Sequence, residues 1–449
     1  MSAELPPGGI EVDAALVAPR LDLTVDDFRR LMAEGRIGVL CERGTGSDEG
    51  LVRATFYHGD RRARLVLDHD GRLQQTDDAP SPPKPQDRHA VHDATAPDSV
   101  PGRDWVHAAV ASLQREARRS ADTHLLHVAL PAFPGIDFYF KDEASHPSGS
   151  LKHRLARSLY LFALCNGRLA EGQAVVDASS GSTAISEAWF ARLLGLRFTA
   201  VMPASTAPDK IRNVRALGGE CELVDDPASV RARAAALARH GACFLDQFGL
   251  AEQATDWRGN NNIAESIVAQ LGAEAHPQPA WIVCGAGTGG TSATIARYLR
   301  YRGLPTRLCV AEPTGGAFAV GWSSRDRSAV ATRPSLIEGI ARPCVEPGFL
   351  FELVEAVIEV DDVESIAAAW LLRDIVGGWY GGSSGTNLVA CLQLAEAMRA
   401  RGERGSIVSL LGDRGERYAQ SLFDRAWLAA RGLEVDAAVG RLAVRIHGR

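Results

Sequence analysis

Lysine is the residue type that this chain most conspicuously lacks. Of its 49 lysine and arginine residues only four are lysine: Lys84, Lys141, Lys152 and Lys210. A primary amine can form a Schiff base with an aldehyde, whereas a guanidinium cannot. A lysine retained against this bias is therefore a candidate reactive group, and Lys152 follows a turn of small residues in "HPSGSLKHRLAR".

Three other absences limit the possible classes of protein. No run of about 18 apolar residues is present, so no membrane span is predicted. The N-terminus, "MSAELPPGGIEVD", lacks a basic segment followed by an apolar one, so no signal peptide is predicted. A net charge of −6 provides no basic field for nucleic acid or an anionic membrane. We therefore expect a soluble protein without nucleic-acid or membrane partners.

Paired cysteines are also missing. The eight cysteines are scattered, none forms a C-x-x-C pair, and no close cluster of histidine and cysteine suggests zinc. We expect no metal site, and we expect reduced thiols in a cytoplasmic protein.

A proline-rich stretch divides the chain. Six prolines fall between Pro80 and Pro101, and no apolar periodicity survives there. This composition predicts a linker over residues 76–103, which contains Lys84. We therefore expect a small domain over residues 1–75, a catalytic domain over 104–435 and a C-terminal tail over 436–449.

The small domain is predicted to be α+β. Strands are expected in "IEVDAALV", in "LVRATFYHG" and in "RRARLVLDHDGRL", which ends in an Asp-Gly turn. A helix is expected in "TVDDFRRLMAEGRI", with Thr24 as its N-cap. No catalytic constellation is present, so an accessory or interaction role is expected.

After the linker, short apolar strands alternate with amphipathic helices. "AVVDAS" precedes the helix "TAISEAWFARLLG", "RFTAVMP" precedes "APDKIRNVRALGG", and "AWIVCGAG" precedes "GTSATIARYLRYRG". Continuously apolar strands of this kind are typical of parallel sheets buried on both faces. The pattern predicts an α/β fold, and its length predicts two subdomains with a cleft between them.

A glycine-rich loop in "WIVCGAGTGGTSATIARYL" joins a predicted strand to a predicted helix. Backbone N–H groups of such a loop bind phosphate. The spacing G-x-G-x-x-G, which begins at Gly285, and Glu312 at the end of the next strand are also compatible with a nicotinamide dehydrogenase. The late position of the loop and the hydroxyls of Thr288 and Thr291 favour a single phosphate instead.

A reactive amine together with a monophosphate cup suggests pyridoxal phosphate. "HPSGSLKHR" resembles the Asn-Pro-Ser/Thr-Gly-Ser-x-Lys-Asp-Arg motif of the fold-type II pyridoxal-phosphate enzymes of the cysteine synthase and cystathionine β-synthase family. The resemblance implies that Lys152 bonds the cofactor. It also implies that the cofactor phosphate is bound by the motif "GTGGT", which comprises Gly287, Thr288, Gly289, Gly290 and Thr291.

Further motifs extend the resemblance from about residue 104 to about 435. "IEGI" and "GGSSGT" are similar to cleft segments of the family, and "LLGDRGERY" is similar to the segment near the pyridine nitrogen. "ASSGSTA" and "DQF" are similar to the segments that bind the substrate carboxylate. They imply a substrate site formed by Ser179, Ser180, Gly181, Ser182, Thr183 and Gln247.

Two positions depart from the family pattern. Ser182, which is also a cofactor candidate, stands where the family has an asparagine that bonds the cofactor's ring oxygen. Arg414 aligns with the serine that faces the pyridine nitrogen, and Asp413 precedes it. Either residue is a candidate for contact with the ring. Our hypothesis is that Arg414 points away, because a guanidinium would disfavour protonation of that nitrogen.

The segments "LKHRLARSLYLFALCNG" and "SSGSTAISEA" are similar to the L-cysteine desulfhydrases within this family. The implied reaction is β-elimination on L-cysteine, giving sulfide, pyruvate and ammonia, with Lys152 as the general base. The implied partners are a small amino-acid substrate and a second copy of the chain in a homodimer. Alternatives are a cysteine synthase, the nicotinamide dehydrogenase above, and a non-catalytic pyridoxal-phosphate-binding sensor. Lys141 is interpreted as a strand-end charge and Lys210 as a solvated one.

Overall fold

The chain divides into two compact units, Met1–Ala90 and Val91–Arg449, in a computed structural model. Most of the predicted linker lies outside the described residues. Those residues are 12–34, 36–43, 50–58, 61–68, 72–76, 102–119 and 122–448.

The first unit is an antiparallel sheet with two helices, in the order β1-β2-β3-β4. Thr24 caps the second helix as predicted, since its Oγ1 accepts the N–H of Asp27 at 3.1 Å. The Asp-Gly turn predicted in "DHDG" lies outside the described residues. The elements are α1 (Ala14–Val17), α2 (Val25–Ala33), β1 (Gly38–Arg43), β2 (Val52–His58), β3 (Arg61–Leu67) and β4 (Leu73–Thr76).

One prediction for this unit is wrong. The segment "IEVDAALV" was expected as a strand, but its second half forms helix α1. The carboxylate of Asp13 accepts the N–H of Ala15 at 3.0 Å and so caps the helix. Ala14 and Val17 then bury their side chains on one face of the turn, at the i, i+3 spacing of a helix.

The second unit contains thirteen helices and ten strands within its described part. The helices are α3 (Arg103–Arg118), α4 (Lys152–Cys165), α5 (Ser182–Leu194), α6 (Pro208–Ala216), α7 (Val230–Arg239), α8 (Gln247–Ala254), α9 (Ile263–Leu271), α10 (Gly290–Tyr301), α11 (Ala317–Ser324), α12 (Asp362–Val376), α13 (Gly382–Ala400), α14 (Arg425–Ala429) and α15 (Val435–His447). The strands are β5 (His124–Val128), β6 (Ile136–Asp142), β7 (Val175–Ala178), β8 (Phe198–Pro203), β9 (Glu220–Val224), β10 (Cys243–Phe244), β11 (Trp281–Gly285), β12 (Arg307–Pro313), β13 (Ala356–Val360) and β14 (Gly405–Leu411).

These strands form two sheets, which confirms the predicted α/β fold with two subdomains. The four-stranded sheet has the order β10-β7-β8-β9, and all of its pairs are parallel. The six-stranded sheet has the order β13-β12-β11-β14-β6-β5 and is parallel except for the edge pair β5-β6. Strands β7 and β14 are buried along their whole length, as expected where helices cover both faces.

The C-terminal residues 436–449 were predicted as a tail, but most of them form helix α15. Ala438, Leu442 and Ile446 recur every four residues and are buried in the core with α12 and α13. This spacing places them on one face of the helix, which explains why the segment packs within the second unit, the catalytic unit of the chain. No helix within the described part of the chain combines the length and apolar character that a membrane span requires.

The carboxyl ends of three strands lead directly into the candidate site. Strand β7 is followed by Ser179, β11 by the glycine loop, and β14 by Asp413. Ligands of open α/β sheets bind at this edge, where loops from neighbouring strands converge.

Candidate active site

Lys152 is the first residue of α4 and is fixed to the segment that follows β14. The N–H of Leu151 donates to the carbonyl of Gly412 at 2.7 Å, and the N–H of Lys152 donates to Ser150 Oγ at 3.0 Å. Burial lowers the pKa of the Lys152 amine, while the nearby carboxylate of Asp413 acts in the opposite direction. A larger fraction of this amine is therefore neutral than in an exposed lysine.

The glycine loop has a conformation that requires its glycines. Gly289 has a positive φ of 82°, and a Cβ there would overlap the backbone of Gly348. A Cβ on Gly287 would overlap the carbonyl oxygen of Gly339. Thr288 Oγ1 accepts the N–H of Gly290 at 3.3 Å, at the start of α10. The loop thus directs a helix N-terminus and its N–H groups at the site.

The five predicted phosphate-loop residues do not all line the same cavity. Gly287 and Thr288 line the main cleft together with Lys152. Gly290 and Thr291 line a neighbouring cavity of about 70 Å³, which Lys152 and Thr288 also border. Gly289 lines neither cavity and shapes the turn.

The predicted carboxylate loop, residues 179–183, lines the main cleft throughout. Ser179 Oγ accepts the N–H groups of Gly181 at 3.4 Å and Ala184 at 3.3 Å, so this hydroxyl shapes the loop itself. Ser182 is the first residue of α5. The loop therefore presents small residues and a helix N-terminus to the cleft, a combination suited to an anionic group.

Gln247 lines the same cleft and is held from behind by a buried acid. Its N–H donates to Asp177 Oδ2 at 3.2 Å, and its side-chain Nε2 donates to the carbonyl of Ala178 at 3.0 Å. Burial raises the pKa of Asp177 to about 6. Burial and the charge of Asp177 raise the pKa of the adjacent Glu187 well above its usual value. Both effects favour the neutral, protonated form of the Glu187 carboxyl over its charged form.

The side chain of Asp413 faces the cleft, whereas that of Arg414 points away from it. Asp413 lines the cleft, and its Oδ2 accepts the hydroxyl of Tyr418 at 3.1 Å. Arg414 is exposed, does not line the cleft, and donates from Nε to the carbonyl of Ala144 at 3.0 Å. Successive residues of an extended backbone point in opposite directions, which explains why only one of the two faces the cleft. Arg414 is therefore removed from the candidate cofactor contacts.

The site fits pyridoxal phosphate by three observations. The cleft has a volume of about 580 Å³, within the range of about 300–1,000 Å³ common for small-molecule sites. Lys152 and Thr288 border the same space. Asp413 Oδ1 is buried without a hydrogen-bond partner in the described part of the chain, so an acceptor remains for a donor on a bound molecule. Among the same residues no three His, Cys, Asp or Glu side chains converge as metal ligands would.

Glu312, the acid that the dehydrogenase alternative would require for binding ribose, is already hydrogen-bonded within the protein. Glu312 is buried, and its two carboxylate oxygens accept the N–H groups of Phe318 at 3.1 Å and Ala319 at 2.5 Å. Burial raises its pKa to about 7. The side chain caps helix α11 and does not serve a ribose in the glycine loop.

Two lysines are more enclosed than their sequence interpretations implied, although Lys141 does lie near the end of a strand. Lys141 is fully buried within β6 and donates from Nζ to the carbonyl of Thr123 at 2.9 Å and to Gln270 at 2.6 Å. Lys210 lines the main cleft and pairs with Glu338 at 2.8 Å. Lys141 is thus a structural cation, and Lys210 is a residue of the cleft lining.

The sequence analysis missed two residues of the cleft, Arg342 and Tyr418, and also Arg417, which contacts the cleft residue Ser182. Arg342 lines the cleft, stacks on the ring of Phe248 and pairs with Glu346 at 2.8 Å. The other two lie within "LLGDRGERY", which the resemblance already assigned to the site. Their presence in that motif could have identified them as candidate site residues from the sequence.

Comparisons with known proteins agree with this geometry. Residues 120–413 match the family described as "Pyridoxal-phosphate dependent enzyme", and residues 1–85 match a family of unknown function (DUF6522). The chain is 52% identical to L-cysteine desulfhydrase Cds1 of Mycobacterium tuberculosis, over 74% of this chain and 92% of that protein. It is 31% identical to a putative cysteine synthase of Sinorhizobium fredii, over 69% and 90%. The crystal structure of O-ureido-L-serine synthase superposes with a TM-score of 0.61 at 26% identity, over 72% and 98%.

Proposed function

Because the chain belongs to the family of pyridoxal-phosphate dependent enzymes, we propose that it is an L-cysteine desulfhydrase. The reaction consumes L-cysteine and one water and produces sulfide, pyruvate and ammonia. The identity of 52% to a desulfhydrase across 92% of that relative is the observation that carries the proposal.

The proposed cofactor contacts come from the start of α4 and from the ends of strands β11 and β14. Lys152 would bond the cofactor, the glycine loop from Gly287 to Thr291 would hold its phosphate, and Asp413 would serve its ring. When bound, pyridoxal phosphate supplies an electron sink for the electrons left on the substrate Cα.

Lys152 is the proposed general base. When Lys152 is not bonded to the cofactor, its lowered pKa would leave more of the free amine unprotonated near neutral pH, so Nζ could accept the Cα proton of the substrate. The bond from Cβ to sulfur then breaks, and its electron pair leaves with the sulfur. Burial of the amine therefore supports the chemistry directly.

The substrate carboxylate is proposed to bind between the loop at 179–183 and Gln247. The backbone N–H groups and hydroxyls of Ser180, Ser182 and Thr183 lie at the N-terminus of α5, where an anion is favoured. Asp177 holds the backbone of Gln247 from behind, which fixes where the amide side chain begins.

The experiment incubates the purified full-length protein, loaded with pyridoxal phosphate, with L-cysteine. We expect sulfide, pyruvate and ammonia in equal amounts. A parallel incubation with O-acetylserine and sulfide tests cysteine synthase, the second candidate, which the 31% identical relative favours. Cysteine formation faster than sulfide release would replace the first proposal with the second.

Three further properties are part of this proposal. The chain is proposed to be cytoplasmic, which is supported by the seven cysteines with described side chains, all of them thiols outside any disulfide. A homodimer is proposed on the family resemblance and is tested by light scattering coupled to size-exclusion chromatography. Residues 1–75 are proposed to be an accessory domain, since the contacts divide the chain near residue 90.

A further inference from the structure

Arg417 connects the segments that surround Lys152. It lies in a short 3₁₀ helix, Gly415–Tyr418, after β14, and 17% of its side chain is exposed. Its Nη1 donates to Ser182 Oγ at 2.5 Å, and its Nη2 donates to the carbonyl of Ser148. The same Nη1 lies 3.8 Å from Asp413 Oδ1, the buried oxygen without a hydrogen-bond partner among the described residues.

These contacts belong to a closed ring of hydrogen bonds. Arg417 holds the hydroxyl of Ser182, and Ser186 Oγ donates to the carbonyl of Ser182 at 2.9 Å. Ser186 Oγ and Ser148 Oγ are 2.9 Å apart and share a hydrogen bond. The carbonyl of Ser148 accepts a hydrogen bond from Arg417, which closes the ring. Ser182 is thereby held at its side chain and at its backbone.

The ring joins two parts of the catalytic unit. Ser148 and Ser186 lie beside α4 and on α5, which pack with the four-stranded sheet. Arg417 follows β14 of the six-stranded sheet. A planar guanidinium can donate two hydrogen bonds in fixed directions, which a single flexible ammonium cannot reproduce.

We propose that Arg417 is a positioning residue that sets the distance of the carboxylate loop from Lys152 by fixing Ser182. This inference rests on the proposed function only in taking an α-amino acid as the ligand. Arg417 itself does not line the cleft, so it acts through Ser182.

The expected kinetic signature is a rise in KM with little change in kcat. A loop that binds the carboxylate contributes equally to the ground state and the transition state, so its displacement removes uniform binding. We expect Arg417→Gln to raise KM for L-cysteine about tenfold or more, as for loss of one hydrogen bond from a charged donor. The change in kcat should stay below about threefold.

The test combines single and double variants with a ligand that does not react by elimination. L-Alanine has the carboxylate and Cα of the substrate but no leaving group, and its Kd is obtained by titrating the visible band of the bound cofactor. Arg417→Gln should weaken L-alanine binding, Ser182→Ala should weaken it at least as much, and the double variant should be no weaker than Ser182→Ala alone, because Arg417 acts through Ser182. Arg417→Lys should fall between them and the wild type. Arg401→Gln, which removes an exposed arginine paired with Glu403, is the control and should leave Kd unchanged.

The outcomes separate this inference from the proposed function, because L-alanine binding does not depend on which elimination the enzyme catalyses. Independent, additive losses in the double variant would overturn the proposal, as would an unchanged Kd in Arg417→Gln. Loss of the visible band or of the cooperative unfolding transition in both Arg417 variants would also overturn it, since Arg417 would then be required for cofactor binding or folding.

Discussion

Replacement of Arg414 by serine tests whether Asp413, and not Arg414, contacts the ring of the bound cofactor. Arg414 stands where the family resemblance expects a ring-contacting serine, so Arg414→Ser restores the family residue. The structure turns the Arg414 side chain to the carbonyl of Ala144, at 3.0 Å, outside the cleft. The substitution should therefore leave the chemistry almost intact.

The magnitude follows from what the side chain contacts. A hydrogen bond from a charged donor contributes about 1.5–3 kcal/mol, and solvent exposure reduces this contribution, so we expect a stability loss of about 1 kcal/mol. The Arg414 stem also packs near Gly149, which serine would leave uncovered. Turnover should change by less than about tenfold, or about 1.4 kcal/mol of barrier.

The assay measures kcat and KM for sulfide release, the visible band of the bound cofactor, and urea unfolding. Arg414→Lys is the conservative control, since it keeps a cation able to reach the same carbonyl. A loss of several orders of magnitude in kcat for Arg414→Ser with unchanged stability would refute the assignment of Asp413. The guanidinium would then act on the ring directly.

Three other predictions follow from named contacts. Lys152→Ala should abolish both the visible band and turnover, and retention of both would transfer the reactive role to Lys141 or Lys210. A chain shortened to begin at Gly102, the N-cap of α3, should bind pyridoxal phosphate and keep its activity, whereas an insoluble product would show that the first unit is part of the catalytic core. Glu187 has a raised pKa, so the folded state keeps its proton above the ordinary value of 4.5, and its contribution to stability falls as pH rises. In urea unfolding at pH 5 and pH 8, Glu187→Gln should therefore gain stability relative to wild type at the higher pH, and a stability difference that does not change with pH would contradict the raised pKa.

The fold class could be predicted because its signals are local. Strands such as β7 and β11 are short apolar runs followed by amphipathic helices, and burial on both faces of a parallel sheet requires that pattern. The glycine loop was also predictable, since its turn before α10 tolerates only glycine at Gly287 and Gly289. Lys152 stood out by composition and by its motif.

Elements whose form depends on distant packing were mispredicted. Helix α15 was expected as a tail, because its apolar spacing indicates a helix only when α12 and α13 provide a surface to bury it. Helix α1 was expected as a strand, since a four-residue segment carries too few residues for periodicity to distinguish the two.

The sequence by itself determined the family of the catalytic unit, and it predicted the candidate reactive amine and the candidate phosphate loop, because the motifs for all three are contiguous residues. Only the tertiary structure decided that Asp413 and not Arg414 faces the cleft, and that Arg417 holds Ser182. Ser182 and Arg417 are 235 positions apart, and Ser148 and Arg417 are 269 apart. Contacts over such separations depend on how two sheets pack, and no local pattern of residue types reports that packing.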